Sequence, residues 1–155
     1  MCGLVQWIII IVLIAVILFG FAAVIDFSKG VIKKVYPTPI ITGNVVRVID
    51  GDTFDLDTGQ RIRLALVNTP ERNEYGYQAA KEWLEYRCLG KHAVIDLDSG
   101  QKAGSYGRVI GLVYCDDNYF VNLEIIELRL GVVMTNYCKV SEFKDNIICS
   151  HQLSK

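Results

Sequence analysis

The chain has 155 residues, of which 52 % are hydrophobic and 21 % are charged. This composition is typical of a folded protein and excludes a disordered, collagen-like or low-complexity chain. The formal net charge is −1, but every Asp, Glu, Lys and Arg lies at or beyond Asp26. The N-terminal stretch therefore differs in character from the rest of the chain.

The segment Leu4–Ile25 is apolar, with Gln6 as its only strongly polar side chain. A helix of this length would measure about 33 Å, which is enough to cross a hydrocarbon core of about 30 Å. A cleavable secretory signal is the alternative, because Gly20-Phe21-Ala22 offers small residues at a cleavage position. No positive residue precedes the apolar run, and the run exceeds the roughly 7 to 15 residues of a signal core. We predict a transmembrane helix, acting as a signal anchor, over residues 1–25.

The lysines Lys29, Lys33 and Lys34 follow this segment, and no Lys or Arg precedes it. The positive-inside rule would then place the remaining chain in the cytoplasm. A domain that acts on extracellular material would instead face outward. We therefore predict a single-pass protein of the cell membrane and leave the side open, with a secreted form if the segment is cleaved.

Residues 26–39 form the predicted linker, because they are basic and contain two prolines, which stop a helix. A folded domain is predicted over residues 40–140, followed by a short C-terminal tail at 141–155. Between residues 40 and 138 there are 14 acidic and 10 basic side chains. The domain is therefore not a polycationic nucleic-acid binder.

Strand signals open the predicted domain and lie close together. Ile40–Ile49 is rich in β-branched residues, Thr53–Leu56 is short, and Arg61–Leu66 begins with alternating basic and apolar side chains. The turns Asp50-Gly51 and Asp57-Thr58-Gly59 suit tight hairpins, because glycine tolerates positive φ. These segments predict a three-stranded meander.

A helix, two more strands and a second helix are predicted after the meander. Tyr77–Leu89 lacks Pro and Gly, has apolar residues at helical spacing and is followed by Gly90. The strands are His92–Leu97 and Val109–Tyr114, and the second helix is Val121–Leu130. The predicted fold is mainly β with helices (α+β): a five-stranded Greek-key barrel of the OB type with two or three helices, preceded by the transmembrane helix.

The chain beyond the N-terminal segment has four cysteines without CxxC spacing, Cys88, Cys115, Cys138 and Cys149. An even number permits two disulfides in an oxidising compartment, but the pairing cannot be read from the sequence. A zinc or redox site at Cys138, Cys149 and His151 is a weak alternative, because the spacing is long and no fourth ligand is near. We interpret the cysteines as small apolar residues or incidental thiols.

Three short stretches hold most of the residues suited to chemistry. They are VIDGDTF at Val48–Phe54, RLALVNTPE at Arg63–Glu71 and SYGRVIG at Ser105–Gly111. In this order and spacing they resemble the staphylococcal nuclease, or thermonuclease, family, and the resemblance extends from Val45 to Tyr137. It implies an OB barrel with helices, in agreement with the strand pattern. It also implies a calcium-dependent nuclease that hydrolyses phosphodiester bonds of DNA or RNA with little sequence specificity.

The resemblance implies a calcium site formed by Asp52, Asn68 and Thr69. Asp52 matches a calcium-binding aspartate of the family, and Thr69 matches a residue whose backbone carbonyl binds the ion. Asn68 stands where the family often has a second aspartate. Calcium accepts carboxylate, amide and carbonyl oxygens as ligands. Because an amide brings no negative charge, we expect Asn68 to lower the affinity for the metal.

The catalytic roles implied by the resemblance fall on Arg63, Glu71 and Arg108. Glu71 matches the glutamate proposed as the general base that activates or orients the attacking water, and the two arginines match those that hold the scissile phosphate. A guanidinium suits this role because it donates paired hydrogen bonds to phosphate and stays charged. Without the motif, Glu71 would be interpreted as a solvated charge and Arg63 as an outward-facing strand residue.

Two tyrosines are the candidate substrate-binding residues. Tyr106 precedes Gly107-Arg108 as it does in the family, and Tyr137 matches an aromatic residue of the nucleotide pocket. Stacking of a base on such a ring contributes about 1 to 3 kcal/mol and tolerates any base. For Tyr137 a buried core position is an equal alternative, and Lys139 stands where a second aromatic residue is expected.

Two departures from the family pattern predict weak binding of DNA or RNA. Ser105 replaces a basic residue, and Ser141–Lys155 is too short for a full-length basic third helix. Fewer phosphate contacts should also weaken the salt dependence of binding. The chief alternative is a catalytically inactive OB module that is tethered to the membrane and binds nucleic acid or protein. Retention of the acidic and arginine positions favours the nuclease, and no protein partner is predicted for it.

Overall fold

The computed structural model describes residues 40–101, 106–116 and 119–151. Within these ranges the strands are β1 (Ile40–Val48), β2 (Thr53–Leu56), β3 (Arg61–Leu64), β4 (Val67–Asn68), β5 (His92–Leu97), β6 (Val109–Cys115), β7 (Tyr119–Phe120) and β8 (Val132–Val133). The helices are α1 (Tyr77–Cys88), α2 (Val121–Glu127), α3 (Thr135–Cys138) and α4 (Ile147–His151). One short 3₁₀ turn lies at Ser99–Gln101.

Five strands form a closed, mixed barrel. Antiparallel pairing joins β3 to β2, β2 to β1, β1 to β5 and β5 to β6. The parallel pairing of β3 with β6 closes the barrel. β7 extends the sheet beyond β6, and β4 pairs separately with β8. This architecture confirms the predicted five-stranded barrel and is consistent with the OB type.

Alternation along the strands explains how one barrel has both an apolar core and a charged surface. In β3, Ile62 and Leu64 are buried, and Arg61 and Arg63 lie on the opposite face. Buried residues of the other strands and of the helices complete the core. One of them is Ile148 of α4, which is 0 % exposed, so residues beyond 140 also contribute to the core.

The predicted elements match the observed ones except at their ends. β3 ends at Leu64 rather than Leu66, because Leu66 has a φ of 62°, which is incompatible with a strand. α2 ends at Glu127 rather than Leu130, and Arg129 has a φ of 58°. Both breaks come from left-handed backbone at residues other than glycine, which carries no simple sequence signal.

Two disulfides cross-link the domain. Cys88 at the end of α1 is bonded to Cys115 at the end of β6, and Cys138 of α3 is bonded to Cys149 of α4. The interpretation of these residues as apolar fillers or incidental thiols is therefore wrong. Because a disulfide leaves no thiolate for a metal, Cys138 and Cys149 do not form the alternative zinc site in this state. The side chain of its third member, His151, lies outside the described residues.

The N-terminal predictions lie outside the described residues. They concern the transmembrane helix at 1–25 and the linker at 26–39. Among the helices that the structure describes, none is long and apolar enough to cross a membrane. The membrane anchor therefore stays a prediction.

Gly51 allows α1 to approach the turn between β1 and β2. A Cβ atom at this position would lie 2.6 Å from Ala80 Cβ and 2.8 Å from Thr69 Oγ1. Carbon atoms do not approach so closely, so only glycine permits this packing. The approach places Asp52, the next residue, directly beside Thr69.

Candidate active site

Five of the predicted site residues line one cavity of about 180 Å³: Arg63, Glu71, Tyr106, Arg108 and Tyr137. They come from β3, the loop after β4, the loop before β6, and α3. The parallel pairing of β3 with β6 sets these elements side by side. The cavity therefore brings together the three predicted catalytic residues and both predicted substrate-binding tyrosines.

Asp52 lies behind Arg63 and is almost fully buried, with 2 % of its surface exposed. Its Oδ1 accepts hydrogen bonds from Arg63 Nη1 and, at 2.9 Å, from Thr53 Oγ1. Its Oδ2 accepts from the backbone N–H of Thr69 at 3.0 Å and from Thr69 Oγ1 at 3.2 Å. Four donors occupy the acceptor sites of one carboxylate, so the protein alone holds this side chain in place.

Burial raises the pKa of the Asp52 carboxyl above its ordinary value, because the charged form loses its hydration. The Arg63 guanidinium acts in the opposite direction, and the nearby Asp50 carboxylate adds to the rise. A cation near such a carboxylate offsets the loss of hydration. This electrostatic condition suits a metal site or a permanent ion pair.

Arg63 connects the buried carboxylate to the cavity. In addition to its bond with Asp52, its Nη2 donates to Asn68 Oδ1 at 3.0 Å and to the Val67 carbonyl oxygen at 3.3 Å. The same nitrogen lies 3.8 Å from Met134 Sδ. The side chain is only 13 % exposed, so the guanidinium is held in one position at the cavity wall.

The three predicted metal ligands are neighbours. Thr69 donates to Asp52, and Asn68 Nδ2 donates to the Thr69 carbonyl oxygen at 3.4 Å. Within the described ranges no group of three or more His, Cys, Asp and Glu side chains could hold a metal ion. Of the three predicted ligands only Asp52 has a carboxylate, so a cation held by them would depend on that carboxylate together with amide and carbonyl oxygens. Calcium prefers such oxygen ligands, but a single carboxylate gives this set little negative charge to bind the ion.

Glu71 is exposed and follows Pro70 in the loop after β4. Its backbone N–H donates to Glu74 Oε2 at 2.7 Å, which fixes the backbone of the loop at this point. The exposed carboxylate lines the cavity and meets solvent, as a base acting on water must.

The loop before β6 supplies Tyr106 and Arg108. Tyr106 has a φ of 50° and is 91 % exposed, and Arg108 Cζ lies 5.9 Å from the centre of its ring. An exposed ring beside a guanidinium suits the base and the phosphate of one nucleotide. Tyr137 is 41 % exposed, so the alternative of a buried core tyrosine is wrong. Ser105 lies outside the described residues.

Three further residues line the cavity without having been predicted: Gln101, Ile110 and Met134. Gln101 Nε2 donates to Asp98 Oδ2 at 2.6 Å, and the residue is 6 % exposed. Ile110 faces Arg63 across the parallel pairing of β3 and β6. Ile110 lies in the stretch SYGRVIG, but only the non-local pairing of β3 with β6 brings it to the cavity. Neither Gln101 nor Met134 lies in a motif.

A mixed barrel of the OB type, with two arginines and a glutamate around one cavity, defines a protein suited to binding phosphate. Comparison with known proteins identifies the family. Residues 61–152 match the family described as staphylococcal nuclease homologue. This match covers more than half of the chain, so the chain belongs to that family. Asp52 precedes the matched residues.

Three curated relatives are similarly identical to this chain and carry different names. An uncharacterized endonuclease of Escherichia coli is 30 % identical over 100 residues, covering 63 % of each chain. An uncharacterized protein of Bacillus anthracis is 29 % identical over 103 residues, covering 60 % of this chain and 48 % of the relative. A protein of E. coli named ParB is 31 % identical over 88 residues, covering 55 % and 45 %. The chain thus spans between 45 % and 63 % of these relatives' lengths.

Proposed function

We propose that the protein is a calcium-dependent nuclease that hydrolyses phosphodiester bonds of DNA or RNA with little sequence specificity. The observation that carries this proposal is the cavity in which Arg63, Arg108 and Glu71 meet. The similarity to an E. coli protein named as an endonuclease supports it.

Arg63 and Arg108 bind the scissile phosphate in this proposal. Each guanidinium donates hydrogen bonds to phosphoryl oxygens, on which negative charge develops as the bond to the leaving oxygen breaks. Arg63 is already held by Asp52 and Asn68, so little reorganisation is needed when the phosphate binds. Loss of one such donor should raise the barrier by about 2.7 to 4 kcal/mol.

Glu71 accepts a proton from the attacking water or orients it. Its carboxylate is exposed and lines the same cavity as the two arginines, so a water molecule bound to it can approach a phosphate held by them. Tyr106 and Tyr137 stack against bases on either side of that phosphate. Stacking accepts any base, which accounts for low sequence specificity.

Asp52, Asn68 and Thr69 would hold calcium through carboxylate, amide and carbonyl oxygens. When bound, the ion supplies positive charge that stabilises the phosphoryl oxygens. Arg63 donates to oxygens of both Asp52 and Asn68, so a bound cation and the guanidinium share these acceptors. With one carboxylate and a competing guanidinium, we expect weak calcium affinity.

We also propose that residues 1–25 anchor the protein in the cell membrane and that the nuclease domain faces an oxidising compartment. The two disulfides support the outer side, because disulfides persist there and are rare in the cytosol. The lysines after the apolar segment favour the opposite side. Protease added to intact cells should remove the domain if the proposal is right. It should leave the domain intact if the lysines keep the domain in the cytoplasm.

The test of the proposed activity is cleavage of single-stranded DNA and RNA by the complete chain in detergent, with calcium and with a chelator. Arg63→Ala, Arg108→Ala and Glu71→Gln should each lower kcat about 10²- to 10³-fold. Arg72→Ala is the matched control, because Arg72 is exposed and does not line the cavity. Absence of cleavage by folded protein at every calcium concentration would overturn the proposal.

A membrane-tethered module that binds nucleic acid or protein without cutting is the second candidate. The saturation of the Asp52 carboxylate by four protein donors favours it, because no metal is needed to complete that site. Nucleic-acid binding without cleavage in the same assay would support this function.

A further inference from the structure

A wide groove lies next to the candidate cavity and shares Tyr106 and Arg108 with it. It has a volume of about 1080 Å³, and its other charged residues are Arg47, Asp55 and Arg61. We name it the arginine groove and define it by these five residues. The proposed cleavage mechanism makes no use of Arg47, Asp55 or Arg61.

The charged residues of the arginine groove form one row that crosses β1, β2 and β3 and ends at Arg108, directly before β6. Arg47 of β1 pairs with Asp55 of β2, and Asp55 pairs with Arg61 of β3. Ile62 of β3 pairs with Val109 of β6. Arg61 directly precedes Ile62, and Arg108 directly precedes Val109. Because neighbouring strands lie about 4.8 Å apart, the row extends about 14 Å across the barrel surface.

The row carries a formal charge of +2, although the domain around it has more acidic than basic residues. Asp55 accepts from Arg61 Nε at 2.7 Å and Nη2 at 3.1 Å, and from Arg47 Nε at 2.9 Å and Nη2. These bonds use two of the five N–H donors of each guanidinium. The two arginine side chains remain 63 % and 45 % exposed. Asp55 therefore fixes both guanidinium groups and leaves donors of each for a ligand.

We propose that the arginine groove binds the phosphate backbone of a single-stranded nucleic acid that continues out of the candidate cavity. This inference rests on the proposed function, which places the scissile phosphate at Arg63. Arg61 and Arg63 lie on the same face of β3, two residues or about 6.8 Å apart. That separation is comparable with the distance between successive phosphates of an extended strand. Neighbouring phosphates can therefore contact Arg63 in the cavity and Arg61 in the groove.

Tyr106 selects a single strand over a duplex. It stands where the cavity meets the groove and is 91 % exposed. A ring in this position stacks against the face of a base only when that base is unpaired. The row of arginines then binds the backbone without reading its sequence, in keeping with low specificity.

The test is equilibrium binding of a fluorescent oligothymidylate by the complete chain, measured by anisotropy in chelator over a series of salt concentrations. Arg61→Gln should reduce the slope of log K against log salt by about 0.7, and Arg47→Gln together with Arg61→Gln by about 1.4. Binding of a dinucleotide with a single phosphate, which cannot contact Arg63 and Arg61 together, should not change. Lys144→Gln is the control, because Lys144 is exposed and lines neither the cavity nor the groove.

Asp55→Asn tests the same proposal by increasing the positive charge of the row, so its effect on binding should be opposite to that of the arginine variants. It raises the charge of the row from +2 to +3, so oligothymidylate should bind more tightly and with a steeper salt dependence. If the row serves only to stabilise the barrel, the same substitution should leave the affinity for oligothymidylate and the salt slope unchanged.

The outcomes separate the arginine groove from the nuclease activity. Normal cleavage with an unchanged salt slope in the arginine variants would overturn the groove and leave the nuclease standing. A reduced slope in a protein that never cleaves would uphold the groove and overturn the nuclease. Binding of duplex as tightly as single strand would overturn the single-strand assignment, and absence of any nucleic-acid binding would overturn both proposals.

Discussion

Asn68 gives this candidate site an amide where a site with two carboxylates would have the second carboxylate. Its amide oxygen accepts a hydrogen bond from Arg63 Nη2, and its amide nitrogen donates to the Thr69 carbonyl oxygen. An amide can satisfy both neighbours at once, whereas a carboxylate accepts only. Asn68 therefore supports the local hydrogen bonds at the expense of negative charge.

Asn68→Asp should tighten calcium binding by about tenfold or more, because ligand charge tunes calcium affinity. Isothermal titration calorimetry on the complete chain measures the change. Asn73→Asp adds the same charge at an exposed position outside the cavity and serves as the control. Equal affinities of Asn68→Asp and wild type would show that Asn68 is not a ligand.

Arg63→Gln should move two measured quantities in opposite directions. Loss of the guanidinium removes a phosphate donor, so kcat should fall about 10²- to 10³-fold. The same loss leaves the buried Asp52 carboxylate without its cationic partner, so calcium should bind more tightly. Terbium luminescence reports the metal affinity independently of cleavage. Weaker terbium binding in Arg63→Gln would contradict shared use of these acceptors.

Most residues that line the cavity lie in motifs that the sequence displays, but their mutual contacts could not be predicted. Three motifs contained every residue of the cavity that carries a proposed role except Tyr137. The ion pair between Arg63 and Asp52 was not predicted, because it depends on the pairing of Thr53 with Arg63 across β2 and β3. Gln101 and Met134 reach the cavity through tertiary packing alone, which leaves no local pattern to detect.

At the scale of elements, the row across β1, β2 and β3 makes the stability of the barrel depend on pH. The hydrogen bonds from Arg61, followed by those from Arg47, lower the pKa of Asp55 from 3.8 to about 2. A carboxyl whose pKa is depressed by folding stabilises the folded state above its unfolded pKa. That contribution is lost as the pH falls through the folded pKa.

Asp55→Asn should therefore reduce the free energy of unfolding by a constant amount above pH of about 5, and by less as the pH falls from about 4 to about 2. Urea unfolding at a series of pH values measures the difference from wild type. Arg61→Gln is the companion variant, because it removes the largest cause of the shift. A difference that does not change with pH would contradict the shifted titration of Asp55.

The elements themselves follow from local patterns that the sequence displays. β-Branched residues, alternation and turn glycines located the three strands of the meander, and helical spacing located α1 and α2. Strand β7, the short β4–β8 pair and the helices α3 and α4 were missed, because they are two to five residues long and contain little local pattern. Short elements contain too little periodicity to be recognised.

At the scale of the whole molecule, the disulfides fix parts of the domain that the barrel does not join. Cys88–Cys115 closes a loop of 27 residues between α1 and β6, and Cys138–Cys149 closes one of 11 residues around the C-terminal helices. Their pairing was not predictable, because it depends on which chain segments meet in space. Longer loops give larger gains, since the cross-link removes more freedom from the unfolded chain.

Replacing both members of a pair by alanine should lower the free energy of unfolding by about 3.5 kcal/mol for Cys88–Cys115 and by about 2.8 kcal/mol for Cys138–Cys149. Thermal and urea unfolding under oxidising conditions measure both losses. Added reductant should destabilise wild type and leave the protein without either disulfide unchanged. Identical unfolding of wild type with and without reductant would show that the disulfides do not form.

The seam of the barrel, which is the parallel pairing of β3 with β6, has a consequence for how the molecule folds. These strands are separated along the chain by β4, α1 and β5, so their pairing must overcome a large loss of chain entropy. Arg61 and Arg63 stand on one side of the seam and Arg108 on the other. A refolding chain should regain its helices before the seam closes, and only then acquire affinity for phosphate. The kinetics of nucleic-acid binding during refolding would thus time the closure of the barrel.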